Sequence, residues 1–202
     1  SEAFYWGDEY QSRQYTSGGE HFDFQESVQG MSDKTSLQYP NIVASINDLL
    51  LSGSNRGIYG VTGDVIVPSG STLSFGLNSK VYLLNNAKII VQNGASLVFE
   101  NNVQVFGRGT NWIEVNGELN VGSGVSFSSR NTSGYFNGII INNSSGSFSF
   151  NGISFYHTLF ESNAASLSII NSTFDSCSSV TSTNGNITIT NSIFDKTGVI
   201  LR

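Results

Sequence analysis

The sequence predicts an all-β fold, a solenoid of short parallel strands of the β-helix type. Three observations carry this. First, an apolar–polar–apolar triplet recurs as Leu73-Ser74-Phe75, Leu97-Val98-Phe99, Leu119-Asn120-Val121, Phe148-Ser149-Phe150, Leu167-Ser168-Ile169 and Ile187-Thr188-Ile189, with leading residues 24, 22, 29, 19 and 20 positions apart. The middle residue varies while the outer two stay apolar, as in a strand with one face on a core. Second, Asn171-Ser172-Thr173-Phe174-Asp175 returns 20 residues later as Asn191-Ser192-Ile193-Phe194-Asp195, and Asn151-Gly152-Ile153-Ser154-Phe155 is a looser copy before both. A repeat of about 20–25 residues with several strands marks a solenoid. Third, only 12% of residues are charged, about half the usual share, and there are 22 Gly, 14 Phe and 2 Pro. Such a composition suits strands and tight turns more than helices.

The elements follow in chain order. Residues 1–40 are acidic and show no repeat; they form an extended arm carrying Phe4, Tyr5, Trp6, Tyr10, Tyr15, Phe22 and Phe24. Either the arm runs along the flank of the solenoid or its aromatics dock on a neighbouring subunit. Residues 41–60 hold a capping helix and lead-in, with Ser45 as N-cap, Asp48 three positions on and Gly53 at the end. Ile46, Leu49 and Leu50 would share its buried face. Residues 61–202 are the solenoid, each coil carrying at least two strands; a third strand per coil is read in Lys80-Val81-Tyr82-Leu83-Leu84 and Gln104-Val105-Phe106. Asn at the corners is expected, because it tolerates the left-handed backbone and stacks on the Asn of the next coil. The chain closes on the apolar Val199-Ile200-Leu201, read as an open end that either meets a partner or marks a truncation.

The stretch Gly63-Asp64-Val65-Ile66-Val67-Pro68-Ser69-Gly70-Ser71-Thr72-Leu73, and later Leu167-Ser168-Ile169-Ile170-Asn171-Ser172-Thr173-Phe174, resemble the right-handed parallel β-helix family, also called pectin-lyase-like. The resemblance spans about two-thirds of the chain. It implies a right-handed single-stranded coil, in agreement with the general handedness of parallel crossovers. It also invites a polysaccharide lyase or hydrolase reading, but the clustered Asp calcium ligands with an Arg or Lys base, the paired Asp motifs, Gly-His-Gly and Arg-x-Lys of such enzymes do not occur here. The resemblance therefore implies fold and leaves activity open.

Charge excludes some classes. The net charge is −6, with nine acids and three bases in residues 1–64 and six of each in residues 65–202. No basic stripe suits nucleic acid. No apolar run is long enough for a membrane-spanning helix. The single cysteine, Cys177, reads as a buried filler.

No residue is assigned a catalytic, cofactor or metal role. Glu114 and Glu118, either side of Asn116-Gly117, could form a carboxylate pair for glycoside cleavage, but a solvated turn accounts for them. Asp175 and Asp195 stack one coil apart and could hold calcium, though two ligands alone do not support that cofactor. His21 and His157 lack metal-ligand spacing. Thr188-Ile189-Thr190 shows a Thr-x-Thr, but neighbouring coils offer Ser, Asn and Val instead, too little for an ice-binding ladder. Tyr135, Tyr156 and Trp112 could stack on sugar rings. Sequons begin at Asn131, Asn142, Asn143, Asn171 and Asn186.

The expected function is thus a secreted, non-catalytic structural β-helix of the cell surface, matrix or a filament, a homo-oligomer associating through the arm and the open C-terminal coil. A glycan-binding or adhesin module of a larger surface protein is the alternative, and a divergent polysaccharide lyase or hydrolase a further one.

Overall fold

The computed structural model describes Tyr39 and residues 41–130 and 134–202. The aromatic arm, His21 and the sequon at Asn131 lie outside the described residues. Contacts group residues 39–202 as one unit. It is a right-handed parallel β-solenoid of about seven turns.

Each coil passes through three faces in turn. Face A is an eight-stranded sheet from Asn41–Val43 and Ile58–Val61 at one end to Thr173–Asp175 and Ile193–Asp195 at the other. Face B has seven strands, from Val65–Val67 to Gly198–Leu201. Face C is split into a four-stranded sheet ending at Glu118–Val121 and a three-stranded sheet starting at Ser147–Asn151. All named strands pair in parallel, each residue lying beside its equivalent one coil on, as in Leu73–Leu97–Leu119 and Phe155–Phe174–Phe194.

Two kinds of coil build the solenoid. In residues 72–95 the strands Thr72–Phe75, Lys80–Leu83 and Lys88–Val91 alternate with corners 76–79, 84–87 and 92–95, three strands of four residues and three corners of four. Those twelve and twelve make the 24-residue repeat. Gly70, Asn78, Gly94, Asn102 and Gly124, each third in its corner, have positive φ. In residues 166–185 strands of five, three and four residues alternate with corners 171–172, 176–178 and 183–185, which makes the 20-residue repeat. There the left-handed residue comes first after the strand at Gly152, His157, Asn171, Ser176, Asn191 and Lys196, while in the corner 183–185 it is the last, Gly185. The change falls where the triplets are 29 apart, and where face C breaks. Within this stretch strand Phe136–Ile141 is bulged, its register shifting between Phe136 and Ile139. Gly138 has φ +65, and a Cβ there would collide with the Leu159 carbonyl oxygen, so only glycine fits.

All six sequence triplets fall on face C, with Leu73, Phe75, Leu97, Phe99, Phe148, Phe150, Leu167 and Ile169 buried. The Asn-Ser-x-Phe-Asp copies fall on face A. Lys80–Leu83 and Gln104–Gly107 also lie on face A, so they are earlier coils of that ladder and not a third strand; the third strand is face B, which includes Lys88–Val91 and Trp112–Val115. Inside, Phe127, Phe155, Phe174 and Phe194 form a column with ring centroids 5.1, 4.5 and 4.7 Å apart and near-parallel planes.

The expected helix is a single 3-10 turn, Ile46–Asp48. Its start is as read: Ser45 caps it, and the Asp48 carboxylate accepts the Ser45 backbone N–H at 3.0 Å in a capping box. It ends early because Leu49 turns extended and buries itself, while Leu50 goes to solvent; Asn55 takes both the N–H and the C=O of Leu50, at 2.9 Å each.

Candidate functional site

Parallel strands in register turn every outward position into a column along the solenoid axis, one residue per coil about 4.8 Å apart. Two outward columns of face C are small and polar in the later coils, Ser147–Ser166–Asn186 and Ser149–Ser168–Thr188, and the third is Asn151–Ile170–Thr190. Face A carries Ser126–Ser154–Thr173–Ile193 and Ser128–Tyr156–Asp175–Asp195. Thr188 and Thr190 thus sit beside Ser168 and Ile170, with no Thr ladder around them.

One cluster stands out where face A turns into face B. His157 is the single residue between strands Ser154–Tyr156 and Thr158–Ser162, and its backbone is left-handed (φ 51). Its ring stacks on Tyr156, centroids 4.5 Å apart at 15°, and lies 5.8 Å from that of Tyr135 at 41°. Tyr135 is 48% and Tyr156 41% exposed. Asp175 is the register partner of Tyr156. Trp112, the third aromatic read as sugar-facing, has its ring under the Lys88 ammonium at 4.7 Å and is only half exposed.

The other sequence candidates separate. Glu114 lies on face B, where its carboxylate accepts from Asn142 at 3.2 Å, whereas Glu118 begins a face C strand. Asp175 and Asp195 are side by side as expected, but Asp175 accepts the Ser176 hydroxyl at 2.9 Å and Asp195 the Lys196 ammonium at 3.3 Å. Among the described residues no group of three or more His, Cys, Asp or Glu is arranged to hold a metal ion. Cys177 is buried, its sulfur 3.4 Å from the Thr158 hydroxyl and its N–H donating to Thr197 at 3.0 Å, the middle of a corner column. Asn143 donates to the Gly117 carbonyl and Asn171 to the Asn151 side chain, while the Asn142 and Asn186 side chains are exposed.

Glu100 gave no sequence signal, yet it ties three coils. Its carboxylate accepts from the Ser54 hydroxyl at 3.0 Å, the Leu77 N–H at 3.0 Å and the Ser74 hydroxyl at 3.5 Å, with Arg56 at 3.6 Å. The Ser54 hydrogen bond first, then that of Leu77, holds its pKa below the ordinary Glu value.

The last coil differs from the rest. Ile187, Ile189, Phe194, Val199 and Leu201 occupy the inward positions held one coil earlier by Leu167, Ile169, Phe174, Val180 and Ser182, all buried. Here Ile189, Val199 and Leu201 are exposed and Ile187 and Phe194 half-buried. The Val199-Ile200-Leu201 contact read from sequence therefore divides: Val199 and Leu201 face the coil end, while Ile200 faces out from face B beside Thr181 and Glu161. Ile193, outward on face A and 62% exposed, joins them without having been read.

No family model, curated protein or solved structure matches this chain. Among the described residues no helix is long and apolar enough to cross a membrane.

Proposed function

We propose that this chain is a non-catalytic structural β-solenoid of the cell exterior that associates with a second copy of itself through its last coil. The observation that carries the reading is Ile193, an outward residue of face A that is 62% exposed beside the apolar residues of that coil. Its inward residues continue columns that are buried everywhere else, and its strands Asn186–Thr190, Ile193–Asp195 and Gly198–Leu201 each keep one unpaired edge, a template for further strands. Ile193 extends the apolar surface outward over the rim, at a position where earlier coils have Ser154 and Thr173; Ile200 does so on face B, in an outward column that also carries Ile66, Ile90 and Ile140. A coil stacked flat on the end leaves Ile193 in water; a partner that also overlaps the rim covers it. A second copy brings the same edges and the same apolar set, which makes a two-fold contact self-complementary. The exterior location rests on the likeness of the entry coil to secreted β-helices and on the exposed sequon asparagines. The aromatic residues of segment 1–40 are the second element of the proposed association.

Sedimentation velocity across a hundredfold range of concentration tests the association. The wild-type chain should shift from monomer to larger species, and the pair Ile193→Lys with Leu201→Lys should remain monomeric. A wild-type chain that stays monomeric throughout removes the proposal. Incubation with pectins and alginates in the presence of calcium should release no product; release of unsaturated or reducing ends would overturn the non-catalytic reading.

A further inference from the structure

We propose that the Tyr135–His157–Tyr156 corner is a carbohydrate-binding site, taking an uncharged oligosaccharide that lies along the solenoid axis. This does not depend on the end-to-end association.

Two tyrosines exposed by 48% and 41% on one corner are out of keeping with the small polar columns around them. Exposed aromatics grouped at one place offer an apolar surface that a ligand can cover. Their geometry selects the ligand. A cage for an organic cation needs ring faces converging on an empty space. Here His157 lies against Tyr156 at 15° and next to Tyr135, so the inner faces are taken up by one another. What remains to the Tyr156 ring is one outer face, the arrangement that stacks on the C–H face of a single pyranose.

The surroundings supply the polar half of such a site. The column through Tyr156 continues as Ser128 on one side and Asp175 and Asp195 on the other. The neighbouring column offers the hydroxyls of Ser154 and Thr173. These groups are hydroxyls and carboxylates, and sugar hydroxyls donate to both. They advance by one coil, about 4.8 Å, close to the step of an extended pyranose chain, so successive sugars meet successive coils. Asp175 disfavours an acidic polysaccharide and favours a neutral one, whereas Asp195 is paired with the Lys196 ammonium.

Titration calorimetry of the full chain with hexasaccharides of β-linked glucose, β-linked mannose and β-linked N-acetylglucosamine, together with a hexagalacturonate and an N-trimethyllysine peptide, tests this. At least one neutral hexasaccharide should bind. Tyr156→Ala, and separately Tyr135→Ala, should weaken it roughly tenfold, the loss expected of one stacking contact. Trp112→Ala, on face B under Lys88, should leave it unchanged. Because Tyr135 and Tyr156 face solvent, both variants should keep the wild-type circular dichroism spectrum and melting temperature, which separates lost binding from lost folding. Failure of all three neutral sugars to bind, binding indifferent to both tyrosine variants, or preference for the hexagalacturonate or the trimethyllysine peptide would each overturn the proposal.

Discussion

At the scale of the residue, the interior is held by columns of apolar side chains, and Phe155 lies within the run Phe127–Phe155–Phe174–Phe194. It stacks on Phe127 and Phe174, and meets Phe150 and Phe160 edge to face. Phe155→Ala should cost about 3–5 kcal/mol, since it opens a cavity between two coils that cannot close up; denaturant unfolding measures it. Glu100 works on the outside. Its carboxyl is held below the ordinary Glu range by Ser54, Leu77 and Ser74, with Arg56 adding charge. A group whose folded pKa is depressed contributes stability that is complete above its ordinary pKa and is lost as pH falls through the lowered folded value. Melting temperature should therefore drop on the acid side in the wild-type chain. Glu100→Gln should melt lower at neutral pH and lose that part of the acid dependence. Equal acid slopes in the two proteins would remove Glu100 as the cause.

At the scale of the element, the corners set the coil. A left-handed backbone costs a side-chain-bearing residue roughly 1–2 kcal/mol, and the short corners meet it with Asn171 and Asn191, Asn171 also donating to Asn151 at 3.0 Å. Asn171→Val should be less stable than Asn171→Gly by about 1–2 kcal/mol, because both lose the ladder bond and only valine carries the steric penalty; paired unfolding curves decide. The same contrast between faces explains what the sequence showed. Face C was legible because its triplets alternate apolar and polar over a core. Face B was not, because its outward positions Ile66, Ile90, Trp112 and Ile140 are themselves apolar, which blurs the period-2 signal. The capping box of Ser45 and Asp48 was legible from spacing, but the helix length was not, since Leu49 is drawn into the core. Among site residues, Tyr135 and Tyr156 were named from sequence. Their meeting at His157 depends on a one-residue corner that brings positions 22 residues apart together, and no local pattern reports that.

At the scale of the whole molecule, a solenoid buries its core only by stacking coil on coil. The coil of residues 186–201 presents Ile189, Val199 and Leu201 in line with buried columns, and Ile193 and Ile200 over the rim. The proposed association should strengthen with salts that favour apolar burial. Hydrogen–deuterium exchange of the full chain at low and high protein concentration tests the claim most directly, because it reads the free strand edges themselves. Amides of residues 186–201 should become protected as concentration rises, while those of the face A strands between Lys80 and Ser129 stay unchanged. Exchange in residues 186–201 that is independent of concentration, while the protein remains folded, would contradict it.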